Sequence, residues 1–256
     1  LVWGAELMAL IDSQIAYWKL EEASGTRDDA HGANDLTDNN TVTNAAGIIG
    51  NAASFASASS EYLSIADNTD VSTGDIACAW SVWVYLADLG TTRTIFAKGD
   101  GSAAFGEYRL YYFASDTFYF EVFDNLTNNT FIGSTTFGAP SANTWYNITC
   151  GHNPTANEIW IAVNAGTRDT VAWTTGIRDG LLAFQVGAEN AGIFWNGRID
   201  ELGFWKKNLT TAEATELYNS GAGNQYPYGA VAASTPPGGF GYSPFHLWLE
   251  EGVLEE

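Results

Sequence analysis

Short apolar or alternating segments, separated by clusters of turn residues, recur along most of this chain. The clearest are residues 15–20, 62–65, 79–86, 108–113, 117–123, 145–150, 158–163, 171–173, 182–186 and 194–205. Segments of this length with every second side chain apolar are typical of antiparallel strands that bury one face. About a dozen of them are too many for a small Greek key and predict an all-β fold of two stacked antiparallel sheets.

The two ends of the chain differ from this pattern. Residues 1–14 carry apolar side chains at helical spacing but are too few to hold a helix without a surface, so they predict an N-terminal arm. Thr210-Thr-Ala-Glu213 is a capping box, which predicts a short helix from there to about Asn219. Residues 223–256 are rich in Gly and Pro and close with an apolar and acidic stretch, which predicts a linker and tail. The principal domain is therefore predicted to span residues 15–222.

Charge and cysteine content narrow the class of protein. The chain has 30 Asp and Glu against 10 Lys and Arg, a formal net charge of −20, which argues against a nucleic-acid partner because phosphate binding needs clustered cations. No apolar run approaches the roughly 20 residues needed to cross a bilayer. Cys78 and Cys150 could form one disulfide or remain two buried thiols. Thiols are favoured, since a chain this long needs no covalent staple.

Several motifs follow one another in a distinctive order. They include Ala16-Tyr-Trp-Lys-Leu-Glu-Glu, Gly47-Ile-Ile-Gly-Asn-Ala-Ala-Ser-Phe, Trp80-Ser-Val-Trp-Val-Tyr and Gly197-Arg-Ile-Asp-Glu-Leu-Gly, the last of which leads to the capping box. In this order they resemble laminin-G-like, concanavalin A-like jelly-roll domains, of the subtype found in bacterial surface and bacteriophage structural proteins. The resemblance covers roughly residues 15–222. It implies a two-sheet jelly-roll sandwich that serves as a binding or adhesion module for glycans or proteins.

Catalytic chemistry finds little support in the sequence. Endo-glucanases with this sandwich supply two carboxylates spaced two apart on one strand face, as glycoside hydrolysis requires a flanking pair. Here Trp160 and Ala162 follow Glu158 on its face, while Asp200 and Glu201 are adjacent and are predicted to point to opposite faces. The chain contains no G-x-S-x-G, H-E-x-x-H or C-x-x-C motif. We therefore expect no catalytic residue, with a divergent glycan hydrolase as a remote alternative.

The resemblance implies one cofactor, a structural calcium ion. Similar jelly-roll domains join the first strand region to an Asp on the last long strand through a structural calcium ion, and Asp200 occupies the matching position. Asp29 and Glu22 are weaker candidate ligands. The alternative is that Asp200 pairs with a cation or caps backbone amides.

Sugar binding requires an exposed aromatic ring with amides or carboxylates nearby. Six aromatic side chains are candidates as stacking platforms: Trp83, Tyr85, Tyr108, Tyr112, Trp173 and Trp195. We predict a carbohydrate site at Trp195 with Asn196, together with Trp83 and Tyr85. The alternative is that these rings lie in the core, because alternation alone does not say which face of a strand is buried.

Together these observations predict a non-enzymatic structural or decorating protein of a virion, the extracellular space or a cell surface. Its arm and tail are expected to contact neighbouring subunits, and its sandwich is expected to bind glycans. An independent soluble lectin is the alternative.

Overall fold

The computed structural model describes residues 10–102, 104–125, 127–190 and 192–228. Within them lie fifteen strands and the helix α1 (Thr211–Tyr218). The strands are β1 (Gln14–Trp18), β2 (Thr37–Asn39), β3 (Thr43–Ala46), β4 (Asn51–Phe55), β5 (Tyr62–Ile65), β6 (Cys78–Leu86), β7 (Arg93–Lys98), β8 (Tyr108–Phe113), β9 (Thr117–Phe123), β10 (Asn129–Gly133), β11 (Thr144–Asn153), β12 (Glu158–Val163), β13 (Asp169–Ala172), β14 (Phe184–Val186) and β15 (Gly197–Trp205). In the described part of the chain, no helix is both long and apolar enough to cross a membrane.

The strands form two antiparallel sheets. The eight-stranded sheet has the order β13-β12-β11-β6-β15-β4-β3, with β1 paired to β15, and the seven-stranded sheet has the order β10-β9-β8-β7-β14-β5-β2. Strands distant in sequence are neighbours in both sheets, as in a jelly roll. The predicted all-β two-sheet sandwich is therefore confirmed.

Alternating side chains from both sheets meet in one core. Trp80 lies at its centre, stacked on Phe204 with ring centroids 4.8 Å apart and close to Tyr108 at 4.4 Å. Large aromatic rings of this kind bury 150–250 Å² each and dominate core energetics. Cys78 and Cys150 lie in the same core as free thiols, in agreement with the prediction. Burial raises the pKa of both thiols well above the usual value.

The predicted helix is present, and a tight turn joins β12 to β13. Thr210 is the N-cap of α1: its side chain accepts a hydrogen bond from Glu213 N, and Glu213 bonds back to the Thr210 backbone. Asn164 and Ala165 have φ of 53° and 52° in the turn between β12 and β13. Two consecutive residues of that turn are thus left-handed.

The outer faces of the two sheets differ. A second apolar cluster covers part of the outer face of the eight-stranded sheet, where Trp160 and Trp205 pack with Leu10, Leu217 and Tyr228. Packing therefore reaches Leu10 within the predicted arm and continues to Tyr228, beyond residue 222. Residues 1–9 and 229–256 of the predicted arm and tail lie outside the described residues. Because this cluster covers part of the eight-stranded sheet, the outer face of the seven-stranded sheet is the candidate binding surface.

Candidate functional site

Four aromatic side chains lie together on the outer face of the seven-stranded sheet. We call the group of Tyr111, Phe113, Tyr119 and Phe131 the aromatic face. The Tyr111 and Tyr119 rings are stacked with centroids 5.6 Å apart, and Phe131 meets Tyr119 at 5.7 Å. Phe113 is 44% exposed, Phe131 is 55% exposed and Tyr119 is partly exposed, whereas Tyr111 is buried at 8%. Exposed rings clustered beside polar groups mark a binding surface more often than isolated ones do.

Strand pairing assembles this face. Tyr111 on β8 is directly opposite Tyr119 on β9, and Tyr119 is opposite Gly133 on β10. A Cβ atom at Gly133 would lie only 2.9 Å from Tyr119 Cε1. The absence of a side chain at Gly133 therefore lets the Tyr119 ring lie across the edge strand.

A charged wall borders the aromatic face, formed by Arg109, Glu121 and Glu189. Arg109 Nε and Nη2 each lie 2.6 Å from Glu121 Oε2, and Arg109 Nη1 lies 2.6 Å from Glu189 Oε2. The guanidinium carbon also stands 4.5 Å from the centre of the Tyr111 ring, a cation–π contact. Asn129 Nδ2 donates to Glu121 Oε1 at 2.5 Å.

The carboxylates of the wall raise the pKa of Arg109 and of Tyr111. Burial lowers the pKa of Arg109, but Glu121 and Glu189 outweigh it and raise that pKa overall, so the guanidinium stays charged. Burial, together with Glu121, raises the pKa of Tyr111 above its usual value. The Tyr111 hydroxyl therefore remains protonated at neutral pH and keeps a proton to donate.

A glycine loop closes one side of the wall. Gly101 has φ of 67°, and a Cβ atom there would lie 1.5 Å from Glu189 Oε1 and 2.6 Å from Arg109 Nη1. Only glycine allows this backbone to approach the carboxylate so closely at positive φ. The loop before β8 is thereby packed directly against the ion pairs.

Comparison with protein families identifies the fold. A family model described as the Concanavalin A-like lectin/glucanases superfamily matches residues 57–215, more than half of the chain. The chain belongs to this superfamily. The matched region of this concanavalin A-like domain contains all four rings of the aromatic face and the three residues of the wall. No curated protein matches the chain in sequence.

Solved structures similar to this concanavalin A-like domain include binding domains of toxins and one domain of an arabinanase. The binding domain of Paraclostridial Mosquitocidal Protein 1 is 16% identical with a TM-score of 0.67, and the alignment covers 82% of this chain and 53% of that one. The binding domain of Botulinum Neurotoxin DC, solved in complex with SialylT, is 15% identical with a TM-score of 0.59, covering 82% and 52%. This chain thus spans about half the length of the toxin binding domains.

A third similar structure matches over nearly its full length. It is domain 4 of an extracellular arabinanase from Geobacillus stearothermophilus in complex with arabinotriose, 16% identical with a TM-score of 0.59. The alignment covers 80% of this chain and 97% of that domain. These likenesses establish a shared fold.

The predicted carbohydrate residues do not form one site. Trp195 is fully buried in the core between the sheets, so its ring offers no face to a ligand, and Asn196 donates to Asp88 at 2.9 Å. Trp83 is on the outer face of the other sheet, 3% exposed and stacked on Tyr218. Tyr85 is half-buried near Trp83, with Arg198 4.8 Å from its ring centre.

The remaining predicted platforms are also largely buried. Tyr108 and Tyr112 point into the core, and Trp173 is 8% exposed. Tyr108 and Tyr112 belong to the inward-facing set of β8 side chains, whereas the exposed Phe113 belongs to the outward-facing set. A charged residue marks the outward-facing set in each strand, namely Arg109 in β8 and Glu121 in β9. This was the signal that could have located the aromatic face.

The acidic pair on β15 departs from strand alternation. A bulge lies between Asp200 and Gly203, with Glu201 at φ of 51°. Glu201 therefore bonds to Tyr17 and Gln225 on the same outer side to which Asp200 points, which corrects the expectation of opposite faces. Burial raises the pKa of Asp200 to about 8 and that of Glu201 to about 7. Both carboxyl groups are at most 3% exposed, so a polysaccharide could not reach them.

The candidate calcium ligands have backbone partners. Asp200 Oδ2 accepts from Ile48 N at 2.8 Å, Asp29 accepts from three backbone amides, and Glu22 accepts from Asp28 N at 3.0 Å. Asp200 Oδ1 is buried without a hydrogen-bond donor, which is the environment that a hard cation would relieve, whereas Glu22 Oε2 lies 3.9 Å from Arg27 Nε. Across the described ranges, no three His, Cys, Asp or Glu side chains converge to hold a metal ion.

Proposed function

We propose that this chain is a non-catalytic carbohydrate-binding domain whose ligand stacks on the aromatic face. The observation that carries the proposal is that Phe113, Tyr119 and Phe131 reach the surface together, beside the fixed guanidinium of Arg109. Sugar rings have apolar faces that pack on aromatic side chains, and hydroxyls that bond to charged and amide groups. The resemblance to the arabinotriose complex of the arabinanase domain supports the same reading.

The arrangement favours binding over hydrolysis. A glycosidase needs two carboxyl groups that flank the scissile bond, one of which donates a proton. Glu121 and Glu189 both bind the guanidinium of Arg109 instead of flanking an open cleft. We therefore propose that the aromatic face holds a glycan without cleaving it.

The test compares variants on the two outer faces. Tyr119→Ala and Phe131→Ala are expected to weaken binding about tenfold on a glycan array and in titrations with arabinotriose, since each removes a stacking surface. Tyr85→Ala is the matched control, because it removes a half-buried ring beside an arginine on the opposite sheet. Loss of binding in Tyr85→Ala alone, or in none of the variants, would refute the assignment.

We further propose that the domain belongs to an extracellular, cell-surface or virion-surface protein with subunit contacts through residues 1–9 and 229–256. The ordered motifs that resemble bacterial surface and bacteriophage structural proteins support this setting. Sedimentation of the full chain and of a chain ending at residue 228 measures whether the tail mediates contacts between subunits. An identical monomeric mass for both would count against assembly through the tail.

We also propose a structural calcium ion at Asp200. Its buried, unpartnered Oδ1 supports the proposal, because a bound cation would compensate the charge that burial disfavours. Calcium is then expected to raise the melting temperature of the wild type and not that of Asp200→Asn. A melting temperature that is the same in excess calcium and in chelator would exclude the site.

A further inference from the structure

The charged wall restricts the kind of glycan that can bind. Its three ionisable side chains comprise two carboxylates and one guanidinium, which leaves one net negative charge beside the rings. Glu121 and Glu189 are 3% and 6% exposed, so solvent screens them weakly. A ligand on the aromatic face therefore meets a negative potential at short range.

Arg109 cannot act as an anion receptor in this arrangement. Recognition of a carboxylate or sulfate relies on the paired N–H groups of a guanidinium edge. One edge of Arg109, formed by Nε and Nη2, is occupied by Glu121, and Nη1 is bound to Glu189. Displacing either glutamate would leave its carboxylate nearly buried and unpaired, which is strongly unfavourable.

The field of the whole molecule acts in the same direction. The formal net charge is −20, and excess charge of one sign slows the approach of ligands of that sign. An uncharged sugar avoids both effects. The apolar faces of its rings can stack on the exposed Phe113 and Phe131.

We infer that the aromatic face selects uncharged glycans over uronic-acid, sialylated or sulfated ones, with Glu189 as the residue that rejects anions. This inference rests on the proposed carbohydrate binding. Glu189 comes from the loop after β14, whereas Arg109 and Glu121 pair across neighbouring strands. The rejecting charge can therefore be removed without changing the strand pair.

The experiment uses the full chain and an array of glycan pairs that differ only in a hydroxymethyl or a carboxylate at one sugar carbon. The wild type is expected to bind the neutral member at least tenfold more tightly. Glu189→Gln is expected to reduce that ratio about tenfold. Glu158→Gln, with the same charge change on the eight-stranded sheet, is the matched control and is expected to leave the ratio unchanged.

The outcomes separate the two proposals. Equal or tighter binding of the acidic member by the wild type overturns the inference and leaves carbohydrate binding standing. Binding of neither member overturns the proposed function and the inference with it. An unchanged ratio in folded Glu189→Gln overturns the role of Glu189. A second measurement needs no variant: added salt screens the field of the −20 net charge but not the nearly buried wall, so a wild-type ratio that salt abolishes contradicts the role of Glu189.

Discussion

Lys98 at the end of β7 offers a strong test of how this sandwich holds its loops. Its side chain and that of Glu107 are both 0% exposed, with Nζ 2.8 Å from Oε2. Lys98 Nζ also lies 2.7 Å from Asp67 Oδ1 and donates to Gly180 O at 2.6 Å. Glu107 accepts from the backbone of Thr73 and of Gly180. The buried pair therefore joins three loops at one edge of the molecule.

Lys98→Met is expected to lower the free energy of unfolding by about 3–5 kcal/mol, because it leaves a carboxylate buried without its counterion. At an m-value of about 2 kcal/mol per molar urea, the unfolding midpoint should fall by about 2 M. Tryptophan fluorescence during urea titration measures this shift. Lys98→Met with Glu107→Gln removes both charges while the amide oxygen can still accept from the loops, so the double variant should recover at least half of the loss.

The pH dependence of this variant has a definite sign. Burial raises the pKa of Glu107 even though Lys98 lowers it, so loss of Lys98 should raise that pKa further. A carboxyl whose pKa is higher in the folded than in the unfolded state stabilises the fold at low pH, and this stabilisation is lost as pH rises. Lys98→Met should therefore lose more stability than the wild type as pH rises above the usual glutamate pKa of about 4.3. The reasoning is refuted if Lys98→Met lowers the free energy of unfolding by less than about 1 kcal/mol. It is also refuted if the loss in the double variant equals the sum of the losses in the two single variants.

Three further predictions concern other parts of the molecule. The two buried thiols should resist alkylation in the native protein and react fully in denaturant, as measured by mass spectrometry. A chain ending at residue 223 should unfold about 3 kcal/mol more easily than one ending at residue 228, because it lacks two packed tyrosines; equal urea midpoints would contradict this. Gly133→Ala should weaken glycan binding by displacing the Tyr119 ring, whereas unaltered affinity would show that the ring position is immaterial.

The sequence predicted the architecture because the patterns that mark strands and helix caps involve residues close together in the chain. Alternation within segments such as residues 108–113 and 158–163 locates strands wherever the sheets pair, and the capping box at Thr210 identifies the helix start. Some strands escaped prediction, including β7, where Arg93 and Lys98 at the two ends weaken the apolar pattern. Both of these end residues are neutralised by ion pairs that become visible only in the folded chain.

The binding face could not be fixed in the same way. In β8 both phases of alternation are aromatic, so periodicity alone assigns Tyr108 and Tyr111 equally well to the core. Trp195 follows a loop and turns inward against both sheets, which no local pattern requires. The left-handed Glu201 in the β15 bulge likewise depends on packing around Tyr17 and Gln225. Each of these placements is decided by contacts distant in sequence.

The position of the two ends of the described body bears on how the domain meets its surroundings. Gln14 Nε2 donates to the Tyr228 hydroxyl at 3.0 Å, and Trp205 Nε1 donates to Leu10 O. These contacts lie on the outside of the eight-stranded sheet, whereas the aromatic face is on the far side of the sandwich. Leu10 and Tyr228, the two ends of the described body, therefore both lie at the back of the domain. A domain mounted by its ends would display the aromatic face outward, toward an approaching surface, with no need for a long spacer.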